Sequence, residues 1–184
     1  MSTTGLTSST SLEFDGLRMA IERLFHALEE RRYRGCMLVK NAPQALTTGV
    51  AHAISWTSAK YDTDGFWDIS DPALIKVPPD VPAGALLEFR AQISLDSDPG
   101  AEFSRLEILK NISGTFTWQY YGYSVRDSYV QSLFAGGGIL VSDLIPVSPG
   151  DEFRLDYRHS KGSTINVVGS TVQDHLTARL HLGP

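Results

Sequence analysis

The sequence predicts an all-β protein, an antiparallel sandwich of jelly-roll type, preceded by a single N-terminal α-helix. Three observations lead there. The stretch "FDGLRMAIERLFHALEERRYRG", starting at Phe14, spaces its apolar residues at intervals of three and four, the period of a helix with one narrow seam. After Gly35 the chain breaks into short runs rich in β-branched and aromatic residues, separated by Gly, Pro and Asp. About eight to ten such runs follow with no helix between them, which points to two packed sheets.

The elements justify themselves in order. Residues 1–10 are rich in Ser, Thr and Gly, without an apolar pattern, and read as a flexible arm. Thr10 and Glu13 have the spacing of a capping box, so a helix opens there. It runs to about Tyr33, roughly 30 Å at 1.5 Å per residue, and Gly35 is a natural stop. The expected units are therefore a 1–10 arm, an 11–34 helix and a 35–184 head.

Within the head, "CMLVK" is the first apolar run, "NAPQALTTG" is turn-rich and "VAHAISW" is strand-like. "YDTDGFWDISDP" reads as a turn-rich crossing. "ALIKVPPDVPAG" holds one short strand ahead of prolines that a central ladder would exclude. "ALLEFRAQISL" and "FSRLEILKN" flank "DSDPGAE", which reads as a hairpin turn. Leu106 and Ile108 should face one way, and Arg105, Glu107 and Leu109 the other. "PGDEFRLDYRHS" alternates Phe153, Leu155 and Tyr157 against Arg154, Asp156 and Arg158, the pattern of a half-buried strand. "STINVVGS" and "HLTARLHL" are the last two strands, and the final one should be tied into a sheet.

The bulk numbers narrow the function. At 184 residues the chain has room for one real core plus an extension. A net charge of -5 leaves no basic block with which to neutralise phosphates, so nucleic acid is not an expected partner. The short run Arg31, Arg32, Arg34 complements a helix C-terminus. Cys36 is the single cysteine and lies in an apolar run, where an inert buried thiol is the ordinary case. No secretory leader and no membrane-spanning run are recognisable, so synthesis in a cytoplasm is expected, with no membrane insertion.

Catalytic signatures are missing. The five histidines sit in no zinc or nucleophile spacing, and no phosphate-binding glycine loop precedes a helix. "AGGG" runs into a strand and reads as a bulge or tight crossing. Asp62, Asp64 and Asp68 could gather oxygens around calcium, but the spacing lacks the remaining ligands of an EF-hand loop, and Asp-x-Asp-Gly also makes a plain turn. The expectation is no metal, no cofactor and no enzyme. "NIS" at Asn111 fits a glycosylation sequon and reads as a turn. The aromatic residues Trp118, Tyr120, Tyr121, Tyr123 and Tyr129 suit either a binding surface or a contact between subunits.

The order of these landmarks from about Arg34 to Leu182 resembles the jelly-roll domain shared by complement globular heads and the tumour-necrosis-factor superfamily. "GCMLVKNAPQALTTG" is similar to the first strand and its turn, and "PAGALLEFRAQISL" to the entry into the central strand. "LEILKN", "LIPVSPGDEFRLDYRHS" and "HLTARLHL" resemble later strands. "TWQYYGYSVRDSYVQS" and "AGGG" depart from the pattern. Versions of this domain form trimeric heads in bacteriophage fibres, spikes and head decorations.

The resemblance implies a homotrimer. Phe14, Leu17, Ile21, Leu24 and Leu28 then form the a/d seam of a short trimeric coiled-coil stalk. The alternative is a helix lying on its own sandwich, for which Phe25 and Met19 widen the apolar face. The expected role is a structural virion component made in the host cytoplasm, joined to other virion proteins through the arm and helix, and binding a host glycan or a neighbouring virion protein. The alternatives are a secreted lectin-like or ligand-type trimeric binding module and, third, a hydrolase built on a jelly roll.

Overall fold

The computed structural model describes residues 17–22, 34–82, 84–97, 104–112, 115–121, 123–125 and 137–182. Contacts divide the chain into two units, 1–33 and 34–184. In the first, residues 17–22 are helical, and Arg18 Nε donates to Glu22 one turn on at 3.0 Å. Leu17 and Ile21 of the expected seam lie in this helix; Phe14, Leu24 and Leu28 lie outside the described residues.

The second unit is a jelly-roll sandwich. Its strands are β1 (Arg34–Val39), β2 (Gln44–Leu46), β3 (His52–Ala53), β4 (Ser58–Asp62), β5 (Leu74–Lys76), β6 (Leu86–Ser94) and β7 (Ser104–Ile112). They continue as β8 (Thr115–Tyr121), β9 (Tyr123–Val125), β10 (Gly137–Val141), β11 (Ile145–Pro146), β12 (Glu152–His159), β13 (Ile165–Val167) and β14 (His175–His181). A seven-stranded sheet has the order β4-β1-β14-β6-β10-β9, with β11 also on β6. A five-stranded sheet has the order β3-β12-β7-β8, with β5 also on β12, and β13 pairs with β2 apart from both. All of these pairings are antiparallel.

The alternation in β7 and β12 is obeyed. Leu106, Ile108, Phe153, Leu155 and Tyr157 enter the core, while Arg105, Glu107, Arg154 and Arg158 occupy the outer row. Phe89 of β6 meets Phe153 of β12 with ring centroids 5.0 Å apart and tilted by 50°, so one aromatic pair joins the two sheets. Trp56, Phe66 and Tyr157 are the other large buried rings. Cys36 is fully buried on β1, and burial pushes its thiol far above the ordinary range, which keeps it protonated and inert.

Buried polar groups close the ends of the sandwich. The Asp174 carboxylate, fully buried, accepts from the backbone amides of Ser94, Gly169 and Ser170, so it ties the end of β6 to the β13–β14 turn. Lys40 leaves β1 beside it; its amide donates to the Asp174 carbonyl at 3.0 Å and its Nζ to Ser55 O at 2.8 Å. Burial lowers the affinity of Lys40 for its proton, and the negative charge of Asp174 opposes that shift. His159 is also fully buried, with Nε2 3.0 Å from Leu46 O and the Lys161 amide donating to Nδ1 at 3.3 Å. With Nδ1 accepting, Nε2 carries the proton and donates to Leu46.

Four expectations change. "DSDPGAE" does not close a hairpin: β6 pairs with β10, β11 and β14, and β7 with β8 and β12, so this connection crosses from one sheet to the other. Aspartate, proline and glycine mark a reversal of the chain but do not choose its partner strand. Asn111 is not a turn residue; it lies in β7, and its Nδ2 donates to Glu152 Oε2 at 3.1 Å. The turn-rich "NAPQALTTG" holds the short strand β2, and β4 runs into "YDTDGFWDISDP" as far as Asp62. β1 begins at Arg34, one residue before the expected head boundary.

Candidate self-association face

The outward face of the seven-stranded sheet is built by register. One row runs Tyr61, Met37, Thr177, Arg90, Val141 and Tyr123 across β4, β1, β14, β6, β10 and β9. The next runs Val39, His175, Gln92, Ile139 and Val125. Between them on β10, Leu140 points inward and is fully buried. Ile139 and Val141 are each 54 % exposed, two β-branched apolar side chains left wet on a strand paired on both sides. β10 reaches this place because it starts on glycine: a Cβ on Gly137 would stand 2.8 Å from Ile93 O. Gly137 therefore marks a close approach of β10 to β6.

A charged group lies beside the apolar pair. Arg90 donates from Nε and Nη2 to Glu88 Oε1 at 3.0 and 2.8 Å. His181 Nε2 lies 3.3 Å from Glu88 Oε2. The Arg90 hydrogen bonds, partly offset by desolvation, hold the Glu88 carboxyl below its usual range. This face thus combines two exposed β-branched side chains with an ion-paired cluster, the make-up of a protein contact surface.

The aromatic candidates divide between the sheets. Register sets Trp118 opposite Asn111 and Tyr120 opposite Leu109 on the outer row of the five-stranded sheet. Tyr121 is opposite the core residue Ile108, and Tyr123 is opposite Val141 in the other sheet. Tyr129 lies outside the described residues. The four described ones therefore do not share one register row.

The acidic turn is a backbone clamp. Asp62 Oδ1 accepts from the amides of Gly65 and Phe66 at 3.0 and 2.9 Å, and Oδ2 from Trp67 at 3.0 Å. Asp64 Oδ2 lies 3.1 Å from Arg34 Nε, whose Nη2 reaches Asp80 at 2.8 Å. Asp68 accepts from the Ser70 amide at 2.8 Å, which holds its carboxyl below the usual range. Among the described residues no group of three or more His, Cys, Asp and Glu side chains is placed to hold a metal ion. Among them, too, no helix is long and apolar enough to cross a membrane.

Exposure on β10 is the feature that sequence reading missed. Its signal was the run "ILV", apolar at three successive positions where alternation would make the outer ones polar. Leu17 and Ile21 of the seam are also exposed, at 57 % and 43 %.

No family model and no curated protein matches the sequence. Solved structures do match the fold. The chain is similar to murine APRIL at pH 8.5, with a TM-score of 0.54 and 10 % identity over 82 % of this chain and all of that one. It is similar to murine APRIL at pH 8.0, with a TM-score of 0.56, 10 % identity and the same coverage. It is also similar to Eiger TNF from S. frugiperda, with a TM-score of 0.56 and 7 % identity over 83 % of this chain and 94 % of that one. The fold is a tumour-necrosis-factor-like jelly roll.

Proposed function

We propose that this chain is a non-enzymatic binding module of ligand type that works as a homotrimer. Its copies pack through the outward face of the seven-stranded sheet and leave the remaining surface to engage a partner. The exposed Ile139 and Val141 carry this reading, because two β-branched side chains on a strand paired on both sides gain most by being covered. Likeness to Eiger TNF supports a ligand-type role over the virion role that the sequence order suggested. A virion role, virion location and a host-glycan partner rest on the order of the sequence landmarks and on the aromatic residues alone. In the ligand-type role, three identical sites on one rigid body raise avidity without any new contact.

Light scattering on the full chain tests the proposal. A mass near three times 20.2 kDa supports it, and a mass of 20.2 kDa at every concentration removes it.

A further inference from the structure

The five-stranded sheet carries a second unusual face. On β12 the outer row is Glu152, Arg154, Asp156, Arg158, and on β7 it is Asn111, Leu109, Glu107, Arg105, opposed pair by pair. This register puts Asp156 directly opposite Glu107, two carboxylates where a cross-strand pair would ordinarily carry opposite charges. Neither is well solvated. Asp156 is 2 % exposed, although it stands on the outer row, and the Glu107 side chain is 21 % exposed.

We infer that Glu107 and Asp156 form a coupled proton-binding site, so that the β unit gains stability as its surroundings become mildly acidic. Two carboxylates side by side in a poorly hydrated place repel, and one proton removes both the repulsion and one desolvated charge. The neighbouring charges do not cancel this. Arg154 is committed to Asp156, with Nε 2.8 Å from Oδ1 and Nη2 2.9 Å from Oδ2. Arg105 Nη1 reaches Glu107 at a longer 3.3 Å. Arg158 lies opposite Arg105 and also favours ionised Glu107, as His52 favours ionised Asp156. Glu152, farther along the row, is engaged with Lys76 at 3.5 Å. Burial outweighs the cations at both sites: it raises the Glu107 and Asp156 carboxyls above their ordinary values, and Asp156 raises Glu107 further.

The sign follows from linkage. An acid that holds its proton more tightly when folded makes the folded state more stable as pH falls through the folded value. The gain is complete once pH is below the unfolded value. The window therefore opens above 4.5, the ordinary glutamate value, where acids with depressed values such as Glu88 are still ionised in both states.

Thermal unfolding of the full chain and of Glu107→Gln, at pH 7.5 and 5.5 and at two protein concentrations, tests the inference. The variant is expected to melt higher than wild type at pH 7.5, by on the order of 2–4 °C, with the gap narrowing at pH 5.5. A variant at or below wild type at pH 7.5, or a gap that ignores pH, overturns it. Because Gln also alters the contact with Arg105, the wild-type carboxyl carbons are titrated by NMR as well. Midpoints above 4.5 for Glu107 and 3.8 for Asp156 are expected, and a Glu107 midpoint at or below 4.5 overturns the inference by itself.

Discussion

Gly35 on β1 passes so close to Ala178 on β14 that a Cβ on it would overlap the Ala178 carbonyl oxygen. Its φ of +148° is also one that side-chain-bearing residues rarely adopt. The first and last strands of the sandwich pair at this point, and the pairing needs a residue without a side chain. Gly35→Ala is expected to destabilise the fold by about 3 kcal/mol, through backbone displacement and strain together. Urea unfolding followed by tryptophan fluorescence reads this directly. A neutral result would mean that β1 and β14 do not approach as described.

Asp62 fixes its turn with three backbone hydrogen bonds, so its removal leaves three amides seeking partners. Asp62→Ala is expected to cost about 2–3 kcal/mol. Asp62→Asn keeps one acceptor oxygen and should cost less. Since the carboxylates of this turn already serve amides and Arg34, millimolar calcium and a chelator are expected to leave the melting temperature of wild type unchanged. A rise with calcium would reopen the metal reading of Asp62, Asp64 and Asp68.

The Arg90 fork depresses the Glu88 carboxyl, and the sign of its effect is opposite to that of Glu107. Glu88 contributes stability above its unfolded value of 4.5, lost as pH falls through the lower folded value. The Glu88 side chain is 15 % exposed, but its main partner Arg90 is 65 % exposed, so solvent screens the pair and the contribution is small. Arg90→Ala should move the NMR titration midpoint of Glu88 upward toward 4.5, and an unmoved midpoint would show that Arg90 is not the cause.

Asp174 holds three elements at one end of the sandwich from a fully buried position. Asp174→Ala would orphan the amides of Ser94, Gly169 and Ser170 and leave Lys40 without its nearby negative charge. A loss of more than about 3 kcal/mol is expected, read as the fraction of soluble, cooperatively melting protein. Wild-type melting in this variant would contradict the geometry.

Local patterning made much of the head legible. The alternation of "EFRLDYRH" and "RLEILK" names the core side of β12 and β7 correctly, because period-two burial is decided within each strand. The short strands were not legible, since their ladders form with strands far along the chain: β2 pairs with β13 and β3 with β12. Partner choice was hidden for the same reason: β1 finds β14 from the far end of the chain. Alternation also placed Leu109 and Asp156 outward, yet both are buried, because a row that faces away from the core can still be covered. Of the candidate surface, the aromatic segment was visible as unusual composition. Ile139 and Val141 were not, because "GGILV" reads equally well as a fully buried strand.

Face-specific charge insertion tests the central claim most directly. Sedimentation of the full chain is compared for wild type, Val141→Glu on the seven-stranded sheet and Arg158→Glu on the five-stranded sheet. Wild type and Arg158→Glu are expected near three times 20.2 kDa, with Val141→Glu folded at 20.2 kDa. Equal masses for all three proteins, or dissociation by Arg158→Glu alone, would contradict association through the β10 face.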